Sequence, residues 1–177
     1  NKCKTGLLLK DNTCTTCPDH ATCDGTTGWT CDTNYNKTDT GCVLGVFQCQ
    51  SGKDASGANC QSGYYCPGNK VNKGEENDTT KGCMIKCPAA TGKTISSSIG
   101  ATLQTQCTAT GTVIIMANGG TTQTGSGQET CSWNAATASY TADCNREPTS
   151  CISGHYRPAS NNPFCDPVGY GYYRDAS

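Results

Sequence analysis

Apolar residues along this chain are sparse, and they do not recur at the three- and four-residue spacing of an amphipathic helix. The clearest strand pattern lies in the middle of the chain, where residues 103–109 alternate polar with apolar positions and residues 112–117 form a short β-branched run. Asn118 and Gly119 come next, and this pair is typical of a type I′ turn, so we predict a β-hairpin. The sequence TTQTGSGQET at 121–130 suits either the return strand or a flexible, O-glycosylated loop.

Turn-forming pairs such as Asp24-Gly25 interrupt the rest of the chain at short intervals. Residues 1–87 are therefore predicted to form loops and two-residue ladders. Residues 134–143 are the only helix candidate, because an Ala-rich run follows an Asn suited to capping a helix. No apolar run approaches the roughly 20 residues that cross a bilayer, so we expect no membrane insertion by this segment.

Cysteine content changes this picture most. The chain holds 16 Cys in 177 residues but only 18 Leu, Ile, Val and Phe, which is too few for an ordinary core. A formal net charge of -1 also lacks the self-repulsion typical of disordered chains. In an oxidising compartment each disulfide contributes on the order of 2–4 kcal/mol, so bridges can substitute for the core. We predict that all the cysteines pair: Cys3, Cys14, Cys17, Cys23, Cys31, Cys42, Cys49, Cys60, Cys66, Cys83, Cys87, Cys107, Cys131, Cys144, Cys151 and Cys165.

A Cys-x2-Gly motif recurs along the chain. Its copies begin at Cys3, Cys42, Cys49, Cys60 and Cys151. The stretches from Cys3 to Cys14 and from Cys49 to Cys60 share the spacing Cys-x2-Gly-x7-Cys, which indicates short loops of similar geometry. Spacing alone does not determine connectivity among so many cysteines, so closure of Cys3 with Cys14 is only a working hypothesis.

These patterns predict a fold of small disulfide-rich, β- and loop-dominated tandem modules in an elongated rod, with little or no α-helix. Residues 1–87 form the short-loop Cys-rich repeats, residues 88–143 a Thr/Ser/Gly-rich β-hairpin region, and residues 144–177 a Cys/Tyr-rich repeat. A three-to-five-strand element is expected near residues 100–133. The ending GYYRDAS echoes GHYRPAS at 154–160, so we expect the repeat to continue beyond this segment and any export signal or anchor to lie outside it.

Three stretches, CKTGLLLKDNTCTTCP, CQSGYYCPGN and KCPAATGKTISSSIGATLQTQC, resemble the cysteine-rich repeats of protist surface proteins. The chain is most similar to ciliate immobilisation antigens, and also resembles ephrin-receptor-like and growth-factor-receptor-like cysteine modules. The chain departs from the antigens in having a single Cys-x2-Cys, at Cys14 and Cys17. The resemblance implies an extracellular coat or filament role and assigns no active site.

The residue patterns give little support for metal binding or catalysis. The pairs Cys14/Cys17 and Cys83/Cys87 have zinc-like spacing, but they lie far apart with other cysteines between them, and the only two histidines are His20 and His155. The sequence from Asp32 to Asn36 begins like a calcium-binding loop, yet Lys37 replaces the required Gly and Val43 the required Glu. No thiol, Gly-x-Ser-x-Gly motif or carboxylate pair stands out for catalysis. We therefore expect neither enzymatic activity nor a cofactor.

Two Asn-x-Thr sequons, at Asn36 and Asn77, fit a secreted glycoprotein, although a chain rich in Asn and Thr produces such motifs by chance. With 13 Lys and Arg against 14 Asp and Glu, no basic stripe is available for nucleic acid. The expected partners are copies of the chain itself, in a filament or coat, or other surface glycoproteins. Self-assembly of a repeating extracellular segment is the leading hypothesis.

Carbohydrate binding is the alternative function, because exposed aromatic rings stack on sugars. Tyrosines recur at one position of the repeat, and GHYRPASNNPFCDPVGYGYYRD also resembles chitin-binding modules in style. The opposing interpretation is that one or two aromatic rings per module cover the disulfides as a miniature core. The candidate sugar or partner contacts are Tyr64, Tyr65, Tyr156, Tyr172 and Tyr173; Tyr170 shares the pattern, while Trp29 and Trp133 stand alone.

Overall fold

A computed structural model of the chain describes residues 1–158 and 162–169. These residues are almost entirely strand and loop, and their only helical segment is a short 3-10 helix, Gln104–Gln106. Their strands are β1 (Leu7–Lys10), β2 (Thr13–Thr16), β3 (Ala21–Cys23), β4 (Trp29–Cys31), β5 (Tyr35–Lys37), β6 (Cys42–Leu44), β7 (Val46–Gln48), β8 (Tyr64–Tyr65), β9 (Lys70–Asn72), β10 (Ile85–Lys86), β11 (Thr94–Ser97), β12 (Cys107–Met116), β13 (Gln123–Asn134), β14 (Ser139–Cys151), β15 (His155–Tyr156) and β16 (Asp166–Pro167).

Every described strand pairing is antiparallel. Six two-stranded ladders pair β1 with β2, β3 with β4, β5 with β6, β7 with β9, β8 with β10, and β15 with β16. One larger sheet has the order β11-β12-β13-β14. A two-stranded ladder has too little apolar surface to be stable alone. The disulfides supply the missing constraint, and the predicted class of small disulfide-rich β modules with little helix is confirmed.

All sixteen cysteines form disulfides, and no two bridges cross along the sequence. The pairs are Cys3–Cys14, Cys17–Cys23, Cys31–Cys42, Cys49–Cys83, Cys60–Cys66, Cys87–Cys107, Cys131–Cys144 and Cys151–Cys165. Seven bridges join two successive cysteines, with no other cysteine between them in the sequence. The exception, Cys49–Cys83, spans 34 residues and encloses Cys60–Cys66. Each bridge therefore closes its own stretch of chain, which is the pattern of serial modules.

The equal spacings from Cys3 to Cys14 and from Cys49 to Cys60 do not produce equal bridges. Cys3 bonds to Cys14, but Cys49 bonds to Cys83 instead of Cys60. The pairing of β7 with β9 is extended by a 3.1 Å hydrogen bond from the Cys49 amide to the Asn69 carbonyl. This pairing holds Cys49 beside the later part of the same module, which contains its disulfide partner Cys83.

Half-cystines make up most of the interior. Among the described residues, ten of the sixteen buried apolar residues are half-cystines. The larger cluster joins the Cys87–Cys107 and Cys131–Cys144 bridges to Ala109 and Tyr140, with Tyr65, Ala90, Ile95 and Trp133 packed around it. The smaller joins the Cys49–Cys83 bridge to Val71. Sulfur thus occupies the positions that aliphatic side chains hold in most domains.

The molecule exposes more surface than a compact protein of its mass, which is consistent with the predicted row of small modules. Its accessible surface is 11368 Å², whereas a compact protein of 18.5 kDa exposes about 8200 Å². Modules in a row bury little surface against one another, and this leaves each module dependent on its own bridges.

The predicted hairpin forms, but its turn differs from the expectation. β12 and β13 are joined by residues 117–122, closed by a 2.9 Å bond from the Ala117 amide to the Thr122 carbonyl. Gly119 has a φ of 70°, but Asn118 does not have a positive φ, so the turn is not type I′. Two consecutive positive φ values occur instead at Asp11 and Asn12, which join β1 to β2 in a two-residue loop.

The TTQTGSGQET stretch is the return strand from Gln123 onward, not a flexible loop. Its glycines are required by close packing. A Cβ on Gly125 would meet the Ser150 carbonyl oxygen first and then the Cys165 Sγ, at 2.7 Å. One on Gly127 would meet the Glu147 carbonyl oxygen first and then the Ile115 Cδ1, at 2.9 Å. Here glycine lets the backbone of β14 approach closely and leaves room for a disulfide and an aliphatic side chain.

The helix predicted over residues 134–143 is wrong. Residues 135–138 are a hairpin loop, in which the Asn134 Oδ1 accepts a 2.9 Å bond from the Ala136 amide and Ala138 has a φ of 49°. Asn134 therefore caps a turn, and pairing of β14 with β13 outweighs the weak helix preference of the alanines. β14 also crosses the boundary placed between residues 143 and 144, and the sheet extends from Thr94 to Cys151.

The strand predicted over residues 103–109 begins only at Cys107. Gln106 folds the preceding residues into the 3-10 turn, because its Oε1 accepts bonds from the amides of Thr102 and Leu103 at 2.8 and 2.9 Å. A side chain that satisfies backbone donors in this way competes with strand pairing.

Candidate functional site

The most complete side-chain arrangement in the described residues lies where β13 ends and β14 begins. Trp133 and Tyr140 face each other across this hairpin, with ring centroids 4.9 Å apart and planes at 67°. The Tyr140 hydroxyl donates a 2.8 Å hydrogen bond to the Pro88 carbonyl, which ties the hairpin to the chain before β11. Tyr140 is buried, and desolvation raises the pKa of its hydroxyl. The indole is thus held by a fixed neighbour.

A charged triad lies beside the aromatic pair. Glu129 on β13 uses both carboxylate oxygens: Oε1 accepts from the Lys93 Nζ at 2.8 Å and Oε2 from the Arg146 Nε at 2.7 Å. Its side chain is only 10% exposed, against 25% for Lys93 and 57% for Arg146. The hydrogen bond from Lys93 and then that from Arg146 lower the pKa of Glu129 below its ordinary value. The triad carries a net charge of about +1.

The sheet register explains how the triad assembles. Glu129 lies opposite Gly111 on one side and Arg146 on the other. Gly111 has no side chain, and the Lys93 stem occupies the space, since a Cβ there would lie 3.1 Å from the Lys93 Cγ. The ammonium group can therefore reach Glu129 from the chain preceding β11.

The aromatic pair and the triad line one open cleft with a volume of about 600 Å³. Ser139 and Thr141 add two hydroxyl groups to its wall, with oxygens 2.7 Å apart. Apolar, hydroxyl and cationic groups therefore converge on one concavity, which is the usual composition of a ligand site.

Sequence analysis did not find this cleft. Trp133 was noted only as an isolated aromatic residue, and Lys93, Glu129 and Arg146 were not singled out. The available signal was Glu129 itself, an acidic residue inside a strand whose other residues are all uncharged. A carboxylate in such a strand requires cationic partners if it is buried.

One group of potential metal ligands occurs in the described residues: Glu129, Cys131 and Cys144, whose ligand atoms lie within 4.8 Å of one another. The two sulfur atoms are bonded to each other, so they are not thiolates. Glu129 is fully occupied by Lys93 and Arg146. This arrangement is therefore structural.

The sequence pairs with zinc-like spacing are divided among different disulfides. Cys14 and Cys17 bond to Cys3 and Cys23. Likewise, Cys83 and Cys87 bond to Cys49 and Cys107. The calcium-like stretch from Asp32 to Asn36 forms the turn into β5, where Asn34 has a φ of 71°.

The two histidines lie in separate parts of the chain, His20 in the turn before β3 and His155 in a ladder. His20 stacks on Tyr35, with centroids 4.0 Å apart, and its Nε2 lies 3.2 Å from the Tyr35 hydroxyl. His155 lies in β15, and its Nδ1 lies 3.4 Å from the Ser153 carbonyl. Both imidazoles thus contact turn or ladder residues.

The repeat tyrosines are distributed over separate ladders. Tyr64 and Tyr65 are half-buried in β8, and Tyr65 packs against the larger core cluster, where desolvation raises its pKa. Tyr156 is 38% exposed in β15. Tyr170, Tyr172 and Tyr173 lie outside the described residues. The described tyrosines therefore cover bridges or stand alone.

Both sequon asparagines are exposed. Asn36 lies in β5, and Asn77 lies in a turn between β9 and β10. The Thr38 hydroxyl donates to the Gly41 carbonyl at 3.0 Å, so a local turn holds it in place. Exposure of both side chains is compatible with glycan attachment.

Comparisons with known proteins give no family. A scan against protein-family models and searches of the curated proteins and of the solved structures each found no match. In the part of the chain that the structure describes, no helix has the length and apolar character that crossing a membrane requires. The eight disulfides are typical of an extracellular or secreted protein.

Proposed function

We propose that this chain is a non-enzymatic structural protein of the cell exterior, a segment of a surface coat or filament that associates with copies of itself. The observation that carries the proposal is an open strand edge on the four-stranded sheet. The resemblance to ciliate surface antigens is consistent with this role and stays a prediction.

The open edge belongs to the second half of β12. β11 pairs with β12 only from Cys107 to Thr110, so within residues 1–158 and 162–169 the segment 111–116 has a partner strand, β13, on one side alone. Residues 112–116 read Thr-Val-Ile-Ile-Met and contain neither charge nor proline. Ile114 is 60% exposed and Met116 is 38% exposed. An uncharged apolar edge of this kind favours addition of another strand.

The opposite edge of the sheet is protected. β14 carries Arg146, Glu147 and Pro148 along its length. Charges and proline on an outer strand discourage pairing with another chain. The favoured partner for the open edge is therefore the same edge of a second copy, paired antiparallel about a two-fold axis. Such a contact is isologous and closes into a dimer.

A polymer needs a second contact, and an apolar patch on β6 and β7 supplies it. Val43, Leu44 and Val46 are 52%, 41% and 55% exposed. They lie within four positions of one another and expose apolar side chains on one short segment of a chain whose apolar residues are otherwise scarce. We call these three residues the Val43 patch. Two self-complementary contacts at separate places on one molecule generate a linear chain.

We expect the protein, with its disulfides intact, to form filaments that negative-stain microscopy resolves. Ile114→Lys places a charge on the open edge and should stop assembly at dimers formed through the Val43 patch, with at least about a tenfold rise in the concentration needed for longer species. Adding Val46→Lys to this variant should give monomers by light scattering.

Ile99→Lys is the matched control, because Ile99 is 73% exposed but lies outside β12 and the Val43 patch. It should assemble like the unmodified protein. If the unmodified protein stays monomeric at high concentration, or if Ile114→Lys and Ile99→Lys assemble equally well, the assembly role is wrong.

A further inference from the structure

The cleft beside Trp133 suits a ligand of defined chemistry. Its volume of about 600 Å³ falls inside the range of about 300–1,000 Å³ that small-molecule sites occupy. It opens on the hairpin between β13 and β14, and its lining includes none of residues 111–116, although Gly111 lies opposite Glu129. Ligand binding in the cleft and strand addition at the edge would therefore use different residues.

Trp133 supplies an apolar wall. The side chain packs against the larger core cluster and also lines the cleft, so it contacts both the interior and the open space. Tyr140, itself bonded to Pro88, limits reorientation of the indole. A flat, pre-oriented indole binds the C–H face of a sugar ring at low entropic cost, because no side chain has to be immobilised on binding.

Arg146 supplies the charge. Its Nε is bonded to Glu129, which orients the guanidinium, while 57% of the side chain remains exposed. A guanidinium carries five N–H donors, so about four remain after this bond. Their fork geometry matches the two oxygens of a carboxylate. Lys93 adds a second cation, and the local net charge of about +1 contrasts with the -1 of the whole chain.

Hydroxyl groups complete the wall. Ser139 lies between Thr137 and Thr141, with oxygen separations of 2.9 and 2.7 Å. Such hydroxyls can both donate to and accept from the hydroxyls of a sugar. Next to them, Ala138 holds a φ of 49°. Alanine rarely adopts this conformation, and strain of this kind tends to occur at binding sites.

We propose that this cleft binds a saccharide residue bearing a carboxylate, such as a uronic or sialic acid, with the ring on Trp133, the carboxylate on Arg146 and the ring hydroxyls on Ser139 and Thr141. A neutral sugar would form no ion pair with the Arg146 N–H donors that Glu129 leaves free. A simple inorganic anion would not use the indole.

The test is a nitrogen-proton NMR titration of the full, oxidised chain. The chain has two tryptophans, so it has two indole N–H signals, and Trp29 provides an internal reference. The probes are trigalacturonate and sialyllactose as the two acidic sources, lactose as the neutral saccharide and sodium sulfate as the simple anion. We expect at least one acidic saccharide to shift the Trp133 signal saturably, with little change at Trp29, and lactose and sulfate to bind at least about tenfold more weakly.

Arg146→Gln should weaken acidic-saccharide binding at least about tenfold and remove the preference over lactose. Arg157→Gln is the matched control, since Arg157 is a partly exposed arginine paired with Glu147 outside the cleft. Thr141→Ala, a conservative change at the exposed wall, gives a second variant that should fold and bind more weakly. Equal binding of lactose, an unchanged affinity in Arg146→Gln, or no saturable shift with either acidic saccharide would overturn the proposal.

Discussion

Replacing Cys49 and Cys83 by alanine is expected to lower the free energy of unfolding by about 4 kcal/mol. This bridge spans 34 residues, the longest separation in the chain. Cross-linking distant residues removes more freedom from the unfolded chain than cross-linking close ones. The same bridge also forms most of the smaller core cluster with Val71, so little other apolar contact would hold that module. Guanidinium unfolding of the variant, with the other seven bridges intact, measures the loss.

The matched control removes the bridge between Cys17 and Cys23, which spans 6 residues. The same loop-closure argument gives a loss of about 2 kcal/mol for it. Both variants use alanine, which avoids burying a hydroxyl group. If the short bridge costs as much as the long one, or if neither removal changes stability measurably, covalent restriction of the unfolded chain is not what stabilises these modules.

Glu129→Gln is expected to lower the free energy of unfolding by about 2 kcal/mol, the second largest effect of a side-chain change. The substitution keeps the shape but removes the charge that neutralises Lys93 and Arg146. Loss of one member of a fully buried pair typically costs about 3–5 kcal/mol. The cost is smaller here because Arg146 is 57% exposed and Lys93 is 25% exposed, so water screens part of the interaction.

The same triad predicts a pH dependence. The folded protein lowers the pKa of Glu129, so its contribution is fully present above the ordinary glutamate value of 4.5 and is lost as the pH falls through the lower folded value. The difference in stability between the unmodified protein and Glu129→Gln should therefore shrink in acid. Glu75→Gln is the control, since Glu75 pairs with Lys81 in an exposed position and its loss should leave the melting temperature almost unchanged. A difference that grows as the pH falls would contradict the assignment.

The composition predicts the architecture, because a chain with few aliphatic residues and many cysteines can be stabilised by disulfide bridges in place of an aliphatic core. Connectivity was beyond reach, since sixteen cysteines allow on the order of two million pairings. The partner of Cys49 follows from the pairing of β7 with β9. Each of these strands has only three residues, which is too short to produce a recognisable strand pattern in the sequence. The first bridge was a working hypothesis from spacing, and it forms because its two cysteines flank a single two-residue hairpin turn at Asp11 and Asn12.

Local propensity failed where distant pairing decided the structure. The alanines after Asn134 favour a helix weakly, but β14 gains a long ladder with β13 by turning back at Ala138. The cleft was missed for the same reason. Glu129 meets Lys93 from 36 positions away and Arg146 from 17 positions away, and only the register of the sheet brings them together. A sequence pattern reveals such a group only when its residues lie a few positions apart along the chain.

Short, non-crossing disulfides take the place of an aliphatic core in this protein. Mass spectrometry of peptides from the unreduced protein can detect each bridge. We expect eight cross-linked peptides and no free thiol, with Cys60–Cys66 enclosed by Cys49–Cys83. A bridge between Cys49 and Cys60, interleaved pairs that join separate modules, or several free thiols would contradict this interpretation.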